Sequence, residues 1–145
     1  MPPKGEFRFL DGIAPADAAF EATGLDLAEV FGAAASALFS IIVNLEHVRT
    51  IVSRQVTLEA ESQDELLYAW LSELVYLKDV HRELYSDFDV VISTDKTLRL
   101  QATIRGDSVD NLVGLTLTDV KAITYHLLAI ESTTSGLKAT VVVDL

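Results

Sequence analysis

The chain has 145 residues, half of them apolar, which is enough to form one domain with a buried core. It contains no cysteine, and this absence excludes disulfides, thiolate zinc sites and cysteine nucleophiles. Eleven basic residues against 22 acidic ones give a formal net charge of −11, which argues against direct binding to nucleic acid, because phosphate backbones are bound mainly through lysine and arginine.

The sequence shows no targeting segment. Its longest apolar stretch, residues 33–43, is shorter than the roughly 18 residues that a membrane span needs. The first six residues lead directly into a strand pattern and lack the charged and apolar regions of a signal peptide. We therefore expect residues 1–145 to form a single cytoplasmic domain. A cytoplasm of high salt concentration is an alternative explanation for its acidity.

Alternation of apolar and polar residues predicts seven strands. They lie at residues 6–10, 17–24, 52–60, 87–93, 98–105, 120–131 and 137–145. Residues 106–114 contain the Asp, Ser and Asn that are typical of turns, so we expect an exposed loop there.

Two helices are predicted from capping residues followed by apolar stripes. Asp26 and Ser62 begin capping boxes, and the helices run over residues 27–44 and 63–77. Trp70 falls on the apolar stripe of the second helix, which favours a core position over a binding-site aromatic. The order β-β-α-β-α-β-β-β-β with short turns favours an α+β fold, in which one or two mostly antiparallel sheets carry both helices packed on one side.

Most catalytic signatures are absent from the sequence. It has no glycine-rich phosphate loop, no Gly-x-Ser-x-Gly turn and no histidine pair at metal-ligand spacing. His47, His81 and His126 are scattered, and none has a nearby sequence partner that would mark it as a catalytic base. Nucleophilic catalysis is therefore unsupported.

Acidic residues do occur at the ends of predicted strands: Asp11, Asp17 and Asp144, with the main-chain carboxylate of Leu145 beside the last. Like charges at about 4 Å repel by roughly 1 kcal/mol in water, and more strongly in drier surroundings. A hard cation such as Ca²⁺ or Mg²⁺, which takes oxygen ligands, would relieve this repulsion. A lysine, or solvent around a frayed end, would do the same.

Four motifs carry a resemblance to a known family. They are Phe9-Leu10-Asp11 with Ala16-Asp17, then Glu65-Leu66-Leu67 with Trp70-Leu71-Ser72-Glu73-Leu74, then Val120-Lys121-Ala122-Ile123-Thr124-Tyr125-His126, and finally Val142-Val143-Asp144-Leu145. Together they resemble the archeases, in the family's order and over nearly the whole chain. The Lys-Ala-Ile-Thr-Tyr-His run with a carboxyl-terminal Val-Asp-Leu is fairly specific.

The resemblance implies a small α+β domain that activates the tRNA-splicing RNA ligase and is not itself an enzyme. That ligase joins a 2′,3′-cyclic phosphate or 3′-phosphate end to a 5′-hydroxyl through a guanylylated histidine, and archeases promote guanylylation and multiple turnover. RNA would be contacted only through the ligase.

By the family pattern, Asp17, Asp144 and Leu145 hold a divalent metal ion, Ca²⁺ or Mg²⁺. Lys121 matches the family's motif and would offset the acids or contact the ligase, with plain solvation as its alternative. Asp11 and His126 are further candidates near the metal or the partner.

One departure from the family pattern is visible in the first motif. The family usually has Asp-His-Thr-Ala-Asp there, whereas this chain has Ile13-Ala14-Pro15-Ala16-Asp17 and no histidine. This difference predicts a divergent activator. Two other function classes stay open from the residues: a chaperone-like or scaffold module without a functional metal site, and a metal-dependent hydrolase that uses Asp17 and Asp144.

Overall fold

The computed structural model describes residues 4–11 and 17–145. Within these ranges the chain forms helices α1 (Leu27–Ile42) and α2 (Gln63–His81), with short 3₁₀ helices at Leu45–His47 and Val109–Leu112. The strands are β1 (Glu6–Leu10), β2 (Asp17–Gly24), β3 (Val52–Ala60), β4 (Glu83–Thr94), β5 (Leu98–Ser108), β6 (Ala122–Ile123), β7 (Ala129–Thr133) and β8 (Gly136–Asp144).

The strands form two antiparallel sheets. The larger sheet has the order β1-β2-β8-β6, with β7 also paired to β8, and the smaller sheet has the order β3-β5-β4. Helix α1 packs against β1, β2 and β8 of the larger sheet and against β4 of the smaller one. Helix α2 contacts β3, β4 and β5 of the smaller sheet and β6 and β7 of the larger one. The predicted α+β fold is confirmed, and the helices lie against both sheets.

Both helices begin where the capping residues predict. The Asp26 carboxylate accepts a hydrogen bond from the Glu29 N–H at 2.9 Å, and the Ser62 hydroxyl accepts one from the Glu65 N–H at 3.2 Å. Trp70 is fully buried, and its indole N–H donates to the Phe31 carbonyl at 3.0 Å, which joins α2 to α1. The core position expected for this residue is confirmed.

The end of α2 lies beyond the predicted residue 77. Lys78 interrupts the apolar pattern, yet it is only 5% exposed, because its ammonium lies between Asp79 at 2.6 Å and Asp119 at 2.8 Å. These carboxylates offset the cost of burying the charge, so the helix continues to His81. It ends at Arg82, which adopts the left-handed conformation with φ 54°.

The predicted exposed loop at residues 106–114 is partly wrong. Strand β5 continues to Ser108, and Asp107 is only 1% exposed. The Asp107 carboxylate accepts hydrogen bonds from the Asn111 amide and the Ser108 N–H, both at 2.8 Å, and pairs with Arg49 at 3.3 Å. The Asn111 hydrogen bond contributes most to holding the pKa of Asp107 below its ordinary value, against the opposing effect of burial.

The continuous strand predicted at residues 120–131 is also wrong. The structure has the two-residue strand β6 and the separate strand β7, with a turn between them in which Leu127 has φ 57°. Both strands pair with β8, β6 at its end and β7 along its first half. Among the described residues, no helix is long and apolar enough to cross a membrane.

Candidate metal centre

Asp17 and Asp144 are directly opposite each other in the larger sheet. Asp17 is the first residue of β2, Asp144 is the last residue of β8, and the antiparallel register pairs them. Side chains at directly opposed positions lie on the same face of a sheet, with Cβ atoms about 4.5–5.5 Å apart. The structure therefore brings together the two aspartates that the family pattern assigns to a metal.

The face on which they lie is the one turned away from the helices. Phe20 on β2 and its partner Val141 on β8 belong to the buried core, as does Val143. Because side chains alternate along a strand, Asp17 and Asp144 point to the opposite face. Both are half-buried there, so they lie partly out of water yet within reach of solutes.

Strand β8 is held on both sides at this end. The Lys121 N–H donates to the Asp144 carbonyl at 2.9 Å, and the Thr124 N–H and hydroxyl both donate to the Val142 carbonyl at 3.0 Å. Asp144 is therefore part of the sheet ladder and not a frayed residue. Solvent around a frayed end, one of the alternatives for relieving the repulsion, does not apply at Asp144.

Leu145, which follows Asp144, is anchored by its own side chain. It is half-buried, and its side chain packs against the core, on the opposite side of the sheet from the Asp144 carboxylate. This contact fixes the main-chain direction immediately after Asp144.

Asp17 and Asp144 differ from the nearby Glu21 in their ion pairs. Among residues 4–11 and 17–145, neither side chain forms an ion pair with a lysine or arginine. Glu21, four residues along β2 on the same face, differs in this respect. It accepts a hydrogen bond from Arg8 at 2.7 Å and pairs with Lys138 at 3.4 Å. Burial alone would raise the pKa of Glu21, but these two cations outweigh it and hold the pKa below its ordinary value.

Asp11, Lys121 and His126 are the remaining residues that the sequence suggested for the site. Asp11 is exposed directly after β1, whose last residue Leu10 pairs with Ala19, so Asp11 lies at the same end of the sheet as Asp17. Lys121 reaches Asp144 only through its main-chain N–H, and its side chain is exposed. His126 is exposed in the turn between β6 and β7.

Residues 13–16, where the first motif departs from the family pattern, lie outside the described residues.

The sequence did not indicate the role of Thr124. Its two hydrogen bonds to the Val142 carbonyl attach β6 to the end of β8, and the only sequence signal was its place in the Lys-Ala-Ile-Thr-Tyr-His motif. Tyr125, the next residue, stacks on Tyr68 of α2 with ring centroids 3.9 Å apart. The motif thus connects the end of β8 to α2.

The donor set fits a hard divalent cation. Carboxylate oxygens are the ligands that Ca²⁺ and Mg²⁺ prefer, and two unpaired carboxylates on one face leave negative charge to be neutralised. Within the described part of the chain, no group of three or more His, Asp or Glu side chains is placed to hold a metal. The third protein ligand that the family resemblance implies is the main-chain carboxylate of Leu145.

Comparison with known proteins gives the family. Residues 7–145 match the model of the Archease protein family. The protein archease of Methanothermobacter thermautotrophicus is 38% identical over 141 residues, which cover 96% of this chain and 98% of that protein. This chain belongs to the archease family. The protein archease of Pyrococcus abyssi is 38% identical over 122 residues, covering 83% of this chain and 86% of that protein.

Solved structures agree with this membership. The solution structure of protein 1598 of Methanobacterium thermoautotrophicum has a TM-score of 0.83 and 36% identity, covering 97% of this chain and 98% of that one. The crystal structure of an archease, possible chaperone, from Thermotoga maritima has a TM-score of 0.61 at 21% identity, covering 95% and 98%, and it supports the fold alone. The family resemblance and the α+β fold expected of an archease are both confirmed.

Proposed function

We propose that this chain activates a tRNA-splicing RNA ligase, and that it does so with a divalent cation held by Asp17, Asp144 and the main-chain carboxylate of Leu145. The observation that carries the proposal is the pairing of Asp17 with Asp144 on one face, without a lysine or arginine to neutralise them within the described residues. Membership of the archease family supports the ligase as partner, through the function that the resemblance implies.

Each residue has a separate part in this site. Asp17 and Asp144 supply side-chain oxygens from two neighbouring strands, while the half-buried side chain of Leu145 directs its own carboxylate. Thr124 and the Lys121 main chain keep the end of β8 in place. A bound Ca²⁺ or Mg²⁺ would supply stabilisation of negative charge on phosphate oxygens of the nucleotide during guanylylation.

The net charge of −11 indicates which kind of partner surface the chain would bind. An RNA ligase needs a basic surface to bind RNA, and an acidic domain is steered towards such a surface by complementary charge. The same charge repels RNA, so the proposal has the chain act on RNA only through the ligase. The chain contributes the cation and its position, and the ligase contributes the histidine that becomes guanylylated.

The direct test measures guanylylation of the purified ligase with GTP and a divalent metal, with and without this protein. Wild type is expected to increase the yield over ligase alone, and Asp17→Asn and Asp144→Asn are expected to lose most of the increase. Asp95→Asn is the matched control, because Asp95 is an exposed acid in the β4–β5 turn. An increase that is equal in all four proteins, or absent with wild type, contradicts the proposal.

A second candidate function is a chaperone-like or scaffold module without a functional metal site. The observation that favours it is the run of exposed apolar side chains at Val113, Leu115 and Leu117. This candidate has no bound metal, so it predicts that a chelator leaves the melting temperature unchanged. A metal bound to the folded state would raise the melting temperature, and its removal would lower it. The hydrolase alternative requires turnover of a phosphoester by this protein alone.

A further inference from the structure

Exposed apolar side chains are concentrated on one part of the molecule. Among the described residues, most of the large apolar side chains that are exposed lie on α2 or in residues 113–127: Tyr76, Val80, Val113, Leu115, Leu117, Tyr125 and Leu127. A contiguous apolar area on a soluble protein usually marks an interaction site.

Two contacts place residues of the segment 113–127 beside α2. Tyr68, Tyr76 and Val80 lie on a single four-residue row of the helix, which spans about 18 Å at 1.5 Å per residue. Tyr125 stacks on Tyr68 at one end of the row. At the other end, Leu117 lines a surface cavity together with α2 residues such as Asp79. We call Tyr76, Val80, Leu117, Tyr125 and Leu127 the α2 apolar surface.

The backbone beside this surface is fixed. Asp119 accepts a hydrogen bond from the buried ammonium of Lys78 at 2.8 Å, and the Leu117 N–H donates to the Ile42 carbonyl at 2.7 Å. Leu127 adopts φ 57°, a conformation that costs free energy for a residue other than glycine. A rigid surface loses little entropy on binding, and exposed tyrosines are frequent binding anchors.

We infer that the α2 apolar surface is the docking face for a protein partner with a basic surface, which under the proposed function is the RNA ligase. A second copy of the chain would bring another net charge of −11 to the interface, and RNA would bring phosphates, so both are repelled. At this end of α2, the three carboxylates of Asp79, Asp119 and Asp110 outnumber the two cations with which they pair, Lys78 and Arg82. Charge therefore selects a basic partner, and the apolar side chains supply contact area.

The segment that carries Tyr125 connects through the main chain to the candidate metal centre, although the Asp17 and Asp144 side chains point to the face of the sheet turned away from the helices. Residues 121–125 run from the Lys121 N–H, which is bonded to the Asp144 carbonyl, through Thr124 to Tyr125.

The inference is tested by measuring the affinity of purified ligase for wild type and for the double variant Tyr76→Ser/Leu117→Ser. These side chains are 58% and 67% exposed, so we expect the fold to tolerate both changes. The dissociation constant is expected to rise by about tenfold or more, as for anchors of an interface. The control Val91→Ser/Leu25→Ser removes side chains that are 64% and 62% exposed, on β4 and in the β2–α1 connection, and should leave binding unchanged. Val80→Ser provides a second surface variant if the double variant melts early.

The outcomes separate this inference from the proposed function. If wild type binds and stimulates the ligase and the surface variants do so equally well, the docking face is wrong and the activator function stands. If wild type neither binds nor stimulates the ligase, both are overturned. A wild-type dimer in light scattering that the surface variant converts to monomer would also overturn the inference, because the occupant would then be a second copy. Weaker ligase binding by the variants alone, with stimulation recovered at high protein concentration, supports it.

Discussion

Asp144 lies directly opposite Asp17 in the pairing of β8 with β2, on the face of the sheet turned away from the helices. Four residues along the same face of β2, Glu21 is enclosed by Arg8 and Lys138. The sheet thus neutralises Glu21 with its own cations, whereas within the described residues it leaves Asp17 and Asp144 facing each other. This contrast is the physical basis for proposing a metal at Asp17 and Asp144, in place of the structural ion pairs seen at Glu21.

Removing one of the two opposed charges should stabilise the metal-free protein. Like charges at directly opposed strand positions are destabilising by about 0.2–1 kcal/mol, so Asp144→Asn in the presence of chelator is expected to unfold at higher urea concentration than wild type. With Ca²⁺ or Mg²⁺ present, wild type should unfold at the higher urea concentration. The variant lacks one carboxylate ligand, so it binds the metal more weakly and is stabilised less by it. Urea unfolding under both conditions tests this. The same order under both would contradict it.

The position of the Leu145 carboxylate can be tested without altering any side chain. Appending one glycine after Leu145 keeps the packed leucine side chain but replaces the carboxylate beside Asp144 with a neutral amide. The metal affinity is expected to fall by about tenfold or more, since a charged ligand is lost. The melting temperature in chelator should change little. An unaltered metal affinity would show that Leu145 supplies no ligand.

Thr124 is expected to contribute to the stability of the β8 end through its hydroxyl. Thr124→Val keeps the shape and the N–H bond to the Val142 carbonyl but removes the hydroxyl bond, which is 3.0 Å long. The free energy of unfolding should fall by about 0.5–1.5 kcal/mol, the usual net value of one hydrogen bond. Thr103→Val is a suitable control, because its hydroxyl bonds an exposed glutamine side chain, Gln55, and its loss should cost less. Equal losses for the two variants would contradict the assignment.

Acid stability should depend on Glu83. Hydrogen bonds from Arg54, at 2.6 and 3.1 Å, lower the pKa of Glu83 below its ordinary value of 4.5. A carboxyl whose pKa is lower in the folded state stabilises the fold above the unfolded pKa and loses this contribution as pH falls through the folded pKa. The free energy of unfolding should therefore decrease below about pH 4.5, and less steeply in Glu83→Gln.

The same variant should also be less stable at pH 7, by about 1–3 kcal/mol, because its amide replaces a charged acceptor for Arg54. Glu83 also accepts a hydrogen bond from the buried Tyr85 hydroxyl at 2.8 Å, and burial is the main cause that raises the pKa of Tyr85. Urea unfolding from pH 7 to pH 3 measures both effects. Identical pH profiles for wild type and Glu83→Gln would contradict the role of this ion pair.

Local patterns in the sequence predicted most of the elements. Asp26 and Ser62 begin their helices as expected, because a cap depends on residues only three positions away. Strand β3 has the predicted bounds, since its alternation reflects one buried face. The family resemblance, which spans both ends of the chain, led us to expect that Asp17 and Asp144 meet, and the structure places them opposite each other. The binding of a metal there stays a prediction.

Residues that depend on distant partners were not predictable in the same way. Asp107 looks like a loop residue, but Arg49, 58 positions earlier, helps to hold its carboxylate inside the fold. Lys78 looks like a helix end because its neutralising partner Asp119 is 41 positions away. The break between β6 and β7 depends on both strands sharing β8 as a partner, which the alternation of residues 120–131 does not reveal.

The most direct measurement is a calorimetric titration of Ca²⁺ and Mg²⁺ into the metal-free protein. Wild type and Asp95→Asn are expected to bind a single divalent ion per chain with the same affinity, and Asp17→Asn and Asp144→Asn should each bind about tenfold more weakly or not at all. A wild-type protein that binds neither ion, or four proteins that bind with equal affinity, would contradict the assignment of a metal to Asp17 and Asp144.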